Sequence, residues 1–406
     1  MKKVLVISDA HIEKLPDNTY WCRTAVHGYD FWTRYLRVFE KVIVVARVKA
    51  VSEIDKSLYN RADGIGVEIR ELPFIRGMKG YLTNYSEMSK SISKLIGDED
   101  CAIFRMPSIP AFMLLRHYKR TGKPYAFEIV ADPMDAYSEN KVAQFIFTRL
   151  LKRETVKANG VSYVTKYFLQ GRYPSYSILH GKDSEHFDSY YSSINLDKSF
   201  FSEPRIFNEP LRTLNIIHVA SAINSDIKGH TTLLKVIKEL RDDNVKVNLT
   251  CVGDGDKRAY YEQMAIDFGI ANNVKFTGLF SSKTDLREEL LNSDLFVFPT
   301  KAEGLPRAVI EAMAVSLPCI STPVNGIPEL LDSEYLFDPL DVTGISNKIK
   351  QLIDNPIELT KMSSQNYSTA KLYINSILED RRNKFYGSLS SMIKENDDNE
   401  YLNENL

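Results

Sequence analysis

Along this chain, short runs of β-branched and aliphatic residues alternate with longer stretches in which apolar positions recur every three or four residues. The runs at 4–8 (VLVIS), 42–48 (VIVVARV), 101–106 (CAIFRM), 125–130 (YAFEIV) and 160–165 (GVSYVT) read as buried strands. Stretches 84–96 and 141–157 carry helical spacing. Continuous apolar runs mark strands covered on both faces, so this order predicts parallel strands joined by crossover helices. The alternation restarts at 214–220 (LNIIHVA) and continues at 247–253, 274–278, 294–299 and 318–322. The predicted fold class is therefore α/β, with two Rossmann-like doubly wound domains. Segment 186–213 is polar and aromatic-rich and carries Pro204 and Pro210, so it reads as the connection. The expected division is an N-terminal domain over 1–187, a linker over 188–210 and a C-terminal domain over 211–375. A last helix over 376–396 is expected to cross back to the first domain, and the acidic tail 394–406 reads as frayed.

Length and composition fit two domains: 406 residues, 44% of them apolar, can bury two cores. Cys22, Cys101, Cys251 and Cys319 lie far apart, with neither disulfide-scaffold nor metal-site spacing, which suits a reducing cytoplasm. The four-residue apolar run before Ser8 and Asp9 is too short for a secretion signal, and no run reaches the ~18 apolar residues of a bilayer span. The expected location is cytoplasmic, with peripheral contact at the inner membrane face as a further option. A formal net charge of −1 argues against a general nucleic-acid binder. Its distribution is uneven: residues 1–185 hold 29 Lys and Arg against 21 Asp and Glu, a net +8, and the remainder 23 against 32, a net −9. A basic half could face an anionic partner such as a phospholipid surface, or carry only an uneven solvated surface.

In open α/β sheets, ligands bind beyond the carboxyl ends of strands, where loops lead into helices. Strand 294–299 is followed by TKAEGL and then Pro306, placed where proline opens a helix over 306–315 without losing a needed N–H. The backbone N–H groups of Gly304 and Leu305 then lie at the positive end of that helix, suited to an anion such as a diphosphate. Glu303 precedes this point and Glu311 lies about a turn and a half into the helix. Carboxylates beside a phosphate make sense as acceptors of hydroxyl hydrogen bonds, and a nucleotide sugar has hydroxyls on both sides of its diphosphate. The alternative is an acidic residue near a helix start and a solvated helical position.

The segment EGLPRAVIEAMAVSLPCISTPVNGIPELL (303–331) resembles the donor-site signature, E-x7-E, of glycosyltransferase family 4, retaining enzymes of the GT-B fold. NIIHVASAINSDIKGH (215–230), CVGDGDKR (251–258), VKFTG (274–278) and DLFVFPT (294–300) are similar to other donor-domain segments, and SILHGKDSEHF (177–187) to the segment entering the linker. The resemblance implies two domains facing across a cleft. It implies that Glu311 holds ribose hydroxyls and Glu303 donor-sugar hydroxyls, and that Lys228 binds the diphosphate with the backbone of Gly304 and Leu305. Gly253 belongs to the implied donor-binding turn. The arginine that the family commonly carries after its first donor-domain strand is missing from ASAINSD (220–226), and Arg307 is the candidate replacement.

Other signals compete. Asp254–Gly255–Asp256 fits a metal-binding D-x-D, but its place before KRAYYEQMA favours a turn with Asp256 as helix N-cap. His218 reads as packed, and Glu329 as a first-turn helix residue with some chance of touching donor sugar. Basic residues intrude into the apolar arc of helix 141–157, which favours an ordinary half-buried helix over membrane docking. In the first domain, Asp132 is the candidate to touch donor sugar or acceptor, or else a turn former before Pro133, with Glu128 and Asp135 behind it. The expected activity is metal-independent, retaining transfer of a sugar from a UDP- or GDP-sugar to a glycan or lipid-linked acceptor in cell-surface polysaccharide synthesis. No cofactor or metal is expected, the nucleotide sugar being a substrate. The alternatives are a catalytically silent nucleotide-sugar-binding protein and an epimerase or hydrolase on the same fold.

Overall fold

Parallel pairing dominates both halves of the chain, as continuous apolar runs require. The structure, a computed structural model, describes residues 2–75, 77–280 and 282–393. It divides into two compact units. Unit 1 takes the chain up to Val164, then Gln170–Tyr190 and the residues from Asp380 on; unit 2 takes Thr165–Leu169 and Tyr191–Glu379.

Among the described residues, unit 1 has one nine-stranded sheet. Its strands are β1 (Lys3–Lys14), β2 (Tyr20–Cys22), β3 (Lys41–Ala50), β4 (Asn60–Arg61), β5 (Val67–Pro73), β6 (Cys101–Met106), β7 (Tyr125–Ile129), β8 (Gly160–Tyr163) and β9 (Phe187–Tyr190). Seven of them run parallel in the order β5-β3-β1-β6-β7-β8-β9, while β2 and β4 add antiparallel pairs at the far end of β1. The register sets Leu5 opposite Ile43 on one side and Ala102 on the other, and Val4 to Ile7 are wholly buried.

Three features differ from the sequence expectation. Strand β1 does not stop at Ser8: it shifts register between Ile7 and His11 and continues to Lys14, pairing with both β3 and β2. Strand β5 escaped notice because it pairs only with β3 and alternates buried and polar positions, with Glu68 bridged to Lys41 at 2.6 Å. The expected linker opens with the strand β9, paired to β8. A Cβ on Gly160 would lie 2.4 Å from the Phe187 ring, so this pairing requires glycine there.

Helix Asn375–Ser391 passes from unit 2 to unit 1 at residue 380. Its Tyr386 hydroxyl donates to Glu128 Oε1 at 2.7 Å, and Tyr35 donates to Oε2 at 2.9 Å. Arg105 is ion-paired to the same carboxylate. Burial pushes the Glu128 carboxyl up, but Arg105 and the two phenols outweigh it and hold the group below its usual range. The acidic tail 394–406 lies outside the described residues.

Unit 2 carries five parallel strands, β10 (Leu214–Ala222), β11 (Val247–Asp254), β12 (Val274–Gly278), β13 (Leu295–Val297) and β14 (Cys319–Ile320), in the order β12-β11-β10-β13-β14. Helix His230–Asp242 buries Leu233, Val236, Ile237 and Leu240, spaced three and four apart, in a core shared with Ile216 and Leu249. The chain order reverses at β10, whose neighbours are β11 and β13. That reversal is a topological switch point, which in open α/β sheets is where the loops leave a crevice for a ligand. All four cysteines are free and buried. Among the described residues no helix is long and apolar enough to cross a membrane.

Candidate functional site

The loops that flank the switch point follow β10 and β13, and they are stitched together. Gly229 has φ +80°, and a Cβ there would sit 2.0 Å from the Pro299 carbonyl oxygen, so only glycine lets the two loops close. Lys301 N–H donates to Ile227 O at 2.8 Å, and the buried Thr300 hydroxyl donates to Ile227 O at 3.1 Å. Lys301 Nζ pairs with Asp226 at 2.6 Å.

These bonds set Lys228 beside Glu303, and the two side chains form an ion pair. They are 28% and 17% exposed, open enough for a ligand to reach. Lys228 Nζ also lies 3.4 Å from Ala302 O and 5.9 Å from the centre of the Phe298 ring. The structure thus brings together two residues singled out in the sequence.

The helix that follows spans Arg307–Ala314. Pro306 is its cap residue, with φ −72° and ψ 115°, one position before its expected place; proline loses no needed N–H at either position. Val309, Ile310, Ala312 and Met313 are buried. Glu311 is half-buried on the same helix, and burial pushes its carboxyl above the usual range although Arg307 and Lys283 pull it down. Arg307, one turn back, is exposed. Leu305 is buried, so its side chain anchors the loop and only its backbone is available to a ligand.

A second tier holds this loop. Gly326 N–H donates to Gly304 O at 3.1 Å, and the Asn325 amide donates to Glu303 O. A Cβ on Gly326 would lie 2.6 Å from Gly304 O and 2.7 Å from Thr165 Cγ2. Glu329 then accepts three backbone N–H groups, from Lys166 at 2.5 Å, Tyr167 at 2.9 Å and Phe168 at 2.7 Å. Its carboxylate sits at the start of the short helix Phe168–Arg172. Sequence reasoning placed Glu329 at a helix start but missed its target, which lies more than 160 residues away with no local signal.

Other expected positions have packing roles. A Cβ on Gly253 would strike Ala220 O at 1.9 Å, so this glycine lets β10 and β11 approach. Lys257, not Asp256, caps helix Arg258–Asp267; Asp256 N–H donates to Asn224 Oδ1 at 3.1 Å. His218 is fully buried, with Nδ1 3.0 Å from Val297 O. In unit 1, Asp132 is 1% exposed and accepts from Met134 N at 2.9 Å and Tyr173 OH at 2.6 Å, with Arg172 Nε at 3.0 Å. Its carboxylate is taken up by the turn before Pro133 and not presented to a substrate. Glu128 is likewise committed to Arg105 and two tyrosines, and Asp135 lies in the short helix Pro133–Ala136.

Comparison with known proteins bears directly on this arrangement. Residues 203–369, which include both switch-point loops, match the family of group 1 glycosyl transferases. Over 388 residues the chain is 27% identical to Protein CapJ of Staphylococcus aureus, covering 94% of this chain and 90% of that protein. It is 31% identical over 141 residues to the amylovoran biosynthesis glycosyltransferase AmsK of Erwinia amylovora, covering 32% of this chain and 34% of that one. The chain is a glycosyltransferase with a group 1 domain over residues 203–369 and a GT-B fold. Its fold resembles that of Anabaena Alr3699/HepE, solved in complex with UDP-glucose, with a TM-score of 0.64 at 14% identity over 96% of this chain and all of that one. The glycosyltransferase thus carries its Lys228–Glu303 pair inside the matched segment, and Asp132 outside it.

Proposed function

We propose that this glycosyltransferase moves a sugar from a UDP- or GDP-sugar, held by unit 2, to a glycan or lipid-linked acceptor in cell-surface polysaccharide synthesis. The observation that carries the reading is the part-open Lys228–Glu303 ion pair at the switch point, next to the start of helix Arg307–Ala314. A diphosphate competes with Glu303 for Lys228, since phosphate oxygens are strong acceptors and the helix start favours negative charge. Once Lys228 turns to the diphosphate, the Glu303 carboxylate is free to accept from hydroxyls of the donor sugar. Glu311 accepts from the ribose, and the exposed Arg307 adds a cation in place of the family's usual arginine.

In the transfer step, the bond from the anomeric carbon to the diphosphate oxygen breaks and a bond to the acceptor oxygen forms. The acceptor's proton passes to the departing diphosphate. Lys228 and the helix N–H groups stabilise the charge that grows there, which is where electrostatic preorganisation contributes most. Retention of anomeric configuration and independence of metal follow from the resemblance of segment 303–331 to a retaining family. The location that fits is cytoplasmic, at the inner face of the membrane.

Support comes from AmsK, a polysaccharide-biosynthesis glycosyltransferase, and from HepE, whose structure holds UDP-glucose. The experiment is a transfer assay with a panel of UDP- and GDP-sugars in the presence of EDTA, with the anomeric product resolved by NMR. Retained configuration and activity that survives EDTA are expected. Strict dependence on Mn²⁺ or an inverted product contradicts the mechanism, and donor binding without turnover across acceptors favours a silent nucleotide-sugar-binding protein.

A further inference from the structure

Two histidines lie buried behind the Lys228 loop. His218, midway along β10, is 0% exposed, and His230, the first residue of helix His230–Asp242, is 1% exposed. Their rings meet edge to face, with centres 4.6 Å apart. Buried polar atoms are almost always hydrogen-bonded. Yet three of the four ring nitrogens here, His218 Nε2 and both nitrogens of His230, have no partner among the described residues.

Chemistry fixes what each nitrogen can do. His218 Nδ1 lies 3.0 Å from Val297 O, a group that only accepts, so Nδ1 carries the hydrogen and Nε2 a bare lone pair. Burial keeps a second proton off both rings: it holds His218 well below the ordinary histidine value and lowers His230 to about 4. A neutral His230 has one N–H and one lone pair. The set therefore asks for a small group that donates to His218 Nε2 and accepts from His230, which one water can do. A metal ion does not fit, because among the described residues no group of three histidine, cysteine or carboxylate side chains is placed to hold one.

The pair connects to Lys228 in two ways. Along the chain, His230 follows Gly229, whose φ of +80° turns the Lys228 loop into the helix. Through space, the His218 ring stacks on Phe298 at 5.3 Å, and Lys228 Nζ lies 5.9 Å from the centre of that same Phe298 ring. The other side is fixed as well. His230 stacks on Tyr261 at 4.8 Å, and the Tyr261 hydroxyl donates to Asp226 Oδ1 at 3.2 Å, which also accepts the Thr231 N–H at 2.9 Å. Val297 is the last residue of β13, the strand that leads to Glu303. The two imidazoles thus tie together β10, β13 and the first turn of the helix, the elements from which the Lys228 and Glu303 loops spring.

We infer that His218 and His230 hold an enclosed water between them, and that this bridge positions Lys228 for the departing diphosphate. The role of Lys228 rests on the donor chemistry proposed above; the water does not. Neither histidine touches substrate, so both are positioning residues. Phenylalanine rings fill the same space, so packing alone gives no reason for imidazole at either position.

The test joins two crystal structures of the full chain to a mutant cycle. In the wild type, one ordered water is expected within about 3 Å of His218 Nε2 and of a His230 nitrogen. A dry contact overturns the inference. His230→Phe keeps a ring and removes both nitrogens, whereas His218→Phe also strips Val297 O of its donor, so the first is the cleaner change. The structure of His230→Phe is expected to lack the water and to show the Lys228–Glu303 pair opened; an unchanged pair overturns the positioning role. In solution this variant is expected to melt close to the wild type, since the nitrogens and their water leave together. Its kcat is expected to fall about tenfold, with less change in KM for the donor. Made in the Lys228→Ala background, the same change is expected to cost nothing further. Equal losses with and without Lys228, or wild-type turnover of His230→Phe, contradict the inference. A wild type that transfers no sugar counts against the donor reading, and the two crystal structures then decide the inference alone.

Discussion

Lys228 and Glu303, 75 residues apart in sequence, form an ion pair at the point where the strand order of unit 2 reverses. In the unliganded protein each neutralises the other, and neither is sealed from solvent. The pair holds both groups ready for a ligand that carries negative charge and hydroxyls together.

Lys228→Ala is expected to lower turnover by about 10² to 10³, the usual effect of removing one donor to a developing anion. Glu303→Gln is expected to spare affinity for the free nucleotide diphosphate and to weaken binding of the nucleotide sugar. Steady-state kinetics and calorimetry with nucleotide and nucleotide sugar check both.

Glu311→Gln separates stability from function. Burial raises the Glu311 carboxyl, so the folded state holds its proton to higher pH than the unfolded chain does. Stability conferred by that proton is present at acid pH and declines as pH rises through the window above the ordinary carboxylate value. The unliganded variant is therefore expected to melt higher than the wild type at pH 7 to 8, with the gap closing at acid pH, and to bind donor about tenfold more weakly. Thermal denaturation across pH, with and without donor, reads both effects.

Gly229→Ala is expected to destabilise unit 2 by about 2 kcal/mol or more, because its φ is positive and the added Cβ meets Pro299 O at 2.0 Å. The same change pushes apart the loops that carry Lys228 and Glu303. Chemical denaturation and donor titration should report both losses.

Glu329→Ala leaves the N–H groups of Lys166, Tyr167 and Phe168 without their shared acceptor. The expected cost is on the order of 2 kcal/mol of stability. Because Gly326 in the same loop bonds Gly304, the Michaelis constant for donor should rise as well. Glu329→Gln, which keeps one acceptor oxygen, should recover part of both.

What was legible in the sequence follows from how local each signal is. Strands β3, β6, β7 and β10 are apolar runs largely buried on both faces, and their pattern alone locates them. Lys228–Gly229 and Glu303 lie in segments whose residue order carries the resemblance, and the closeness of the two loops follows from parallel topology. Strand β5 was hidden because an edge strand shows half of its residues to water. The partners of Glu128, Asp132 and Glu329 were hidden because burial of a carboxylate depends on what the rest of the fold brings to it: Arg105 and Tyr386, Tyr173, and the backbone of residues 166–168. Glu128 sits in a run read as a buried strand, but nothing near any of the three in sequence names the distant residues that pair with it.

The most direct test of the central claim is isothermal titration calorimetry of the full chain with UDP- and GDP-sugars in EDTA, comparing the wild type with Glu311→Ala and Lys228→Ala. One nucleotide sugar is expected to bind at a single site, and each variant to weaken it by about tenfold or more, or about 1.4 kcal/mol. If no nucleotide sugar binds the wild type, or if one binds all three proteins equally, the switch-point loops are not where the donor is held.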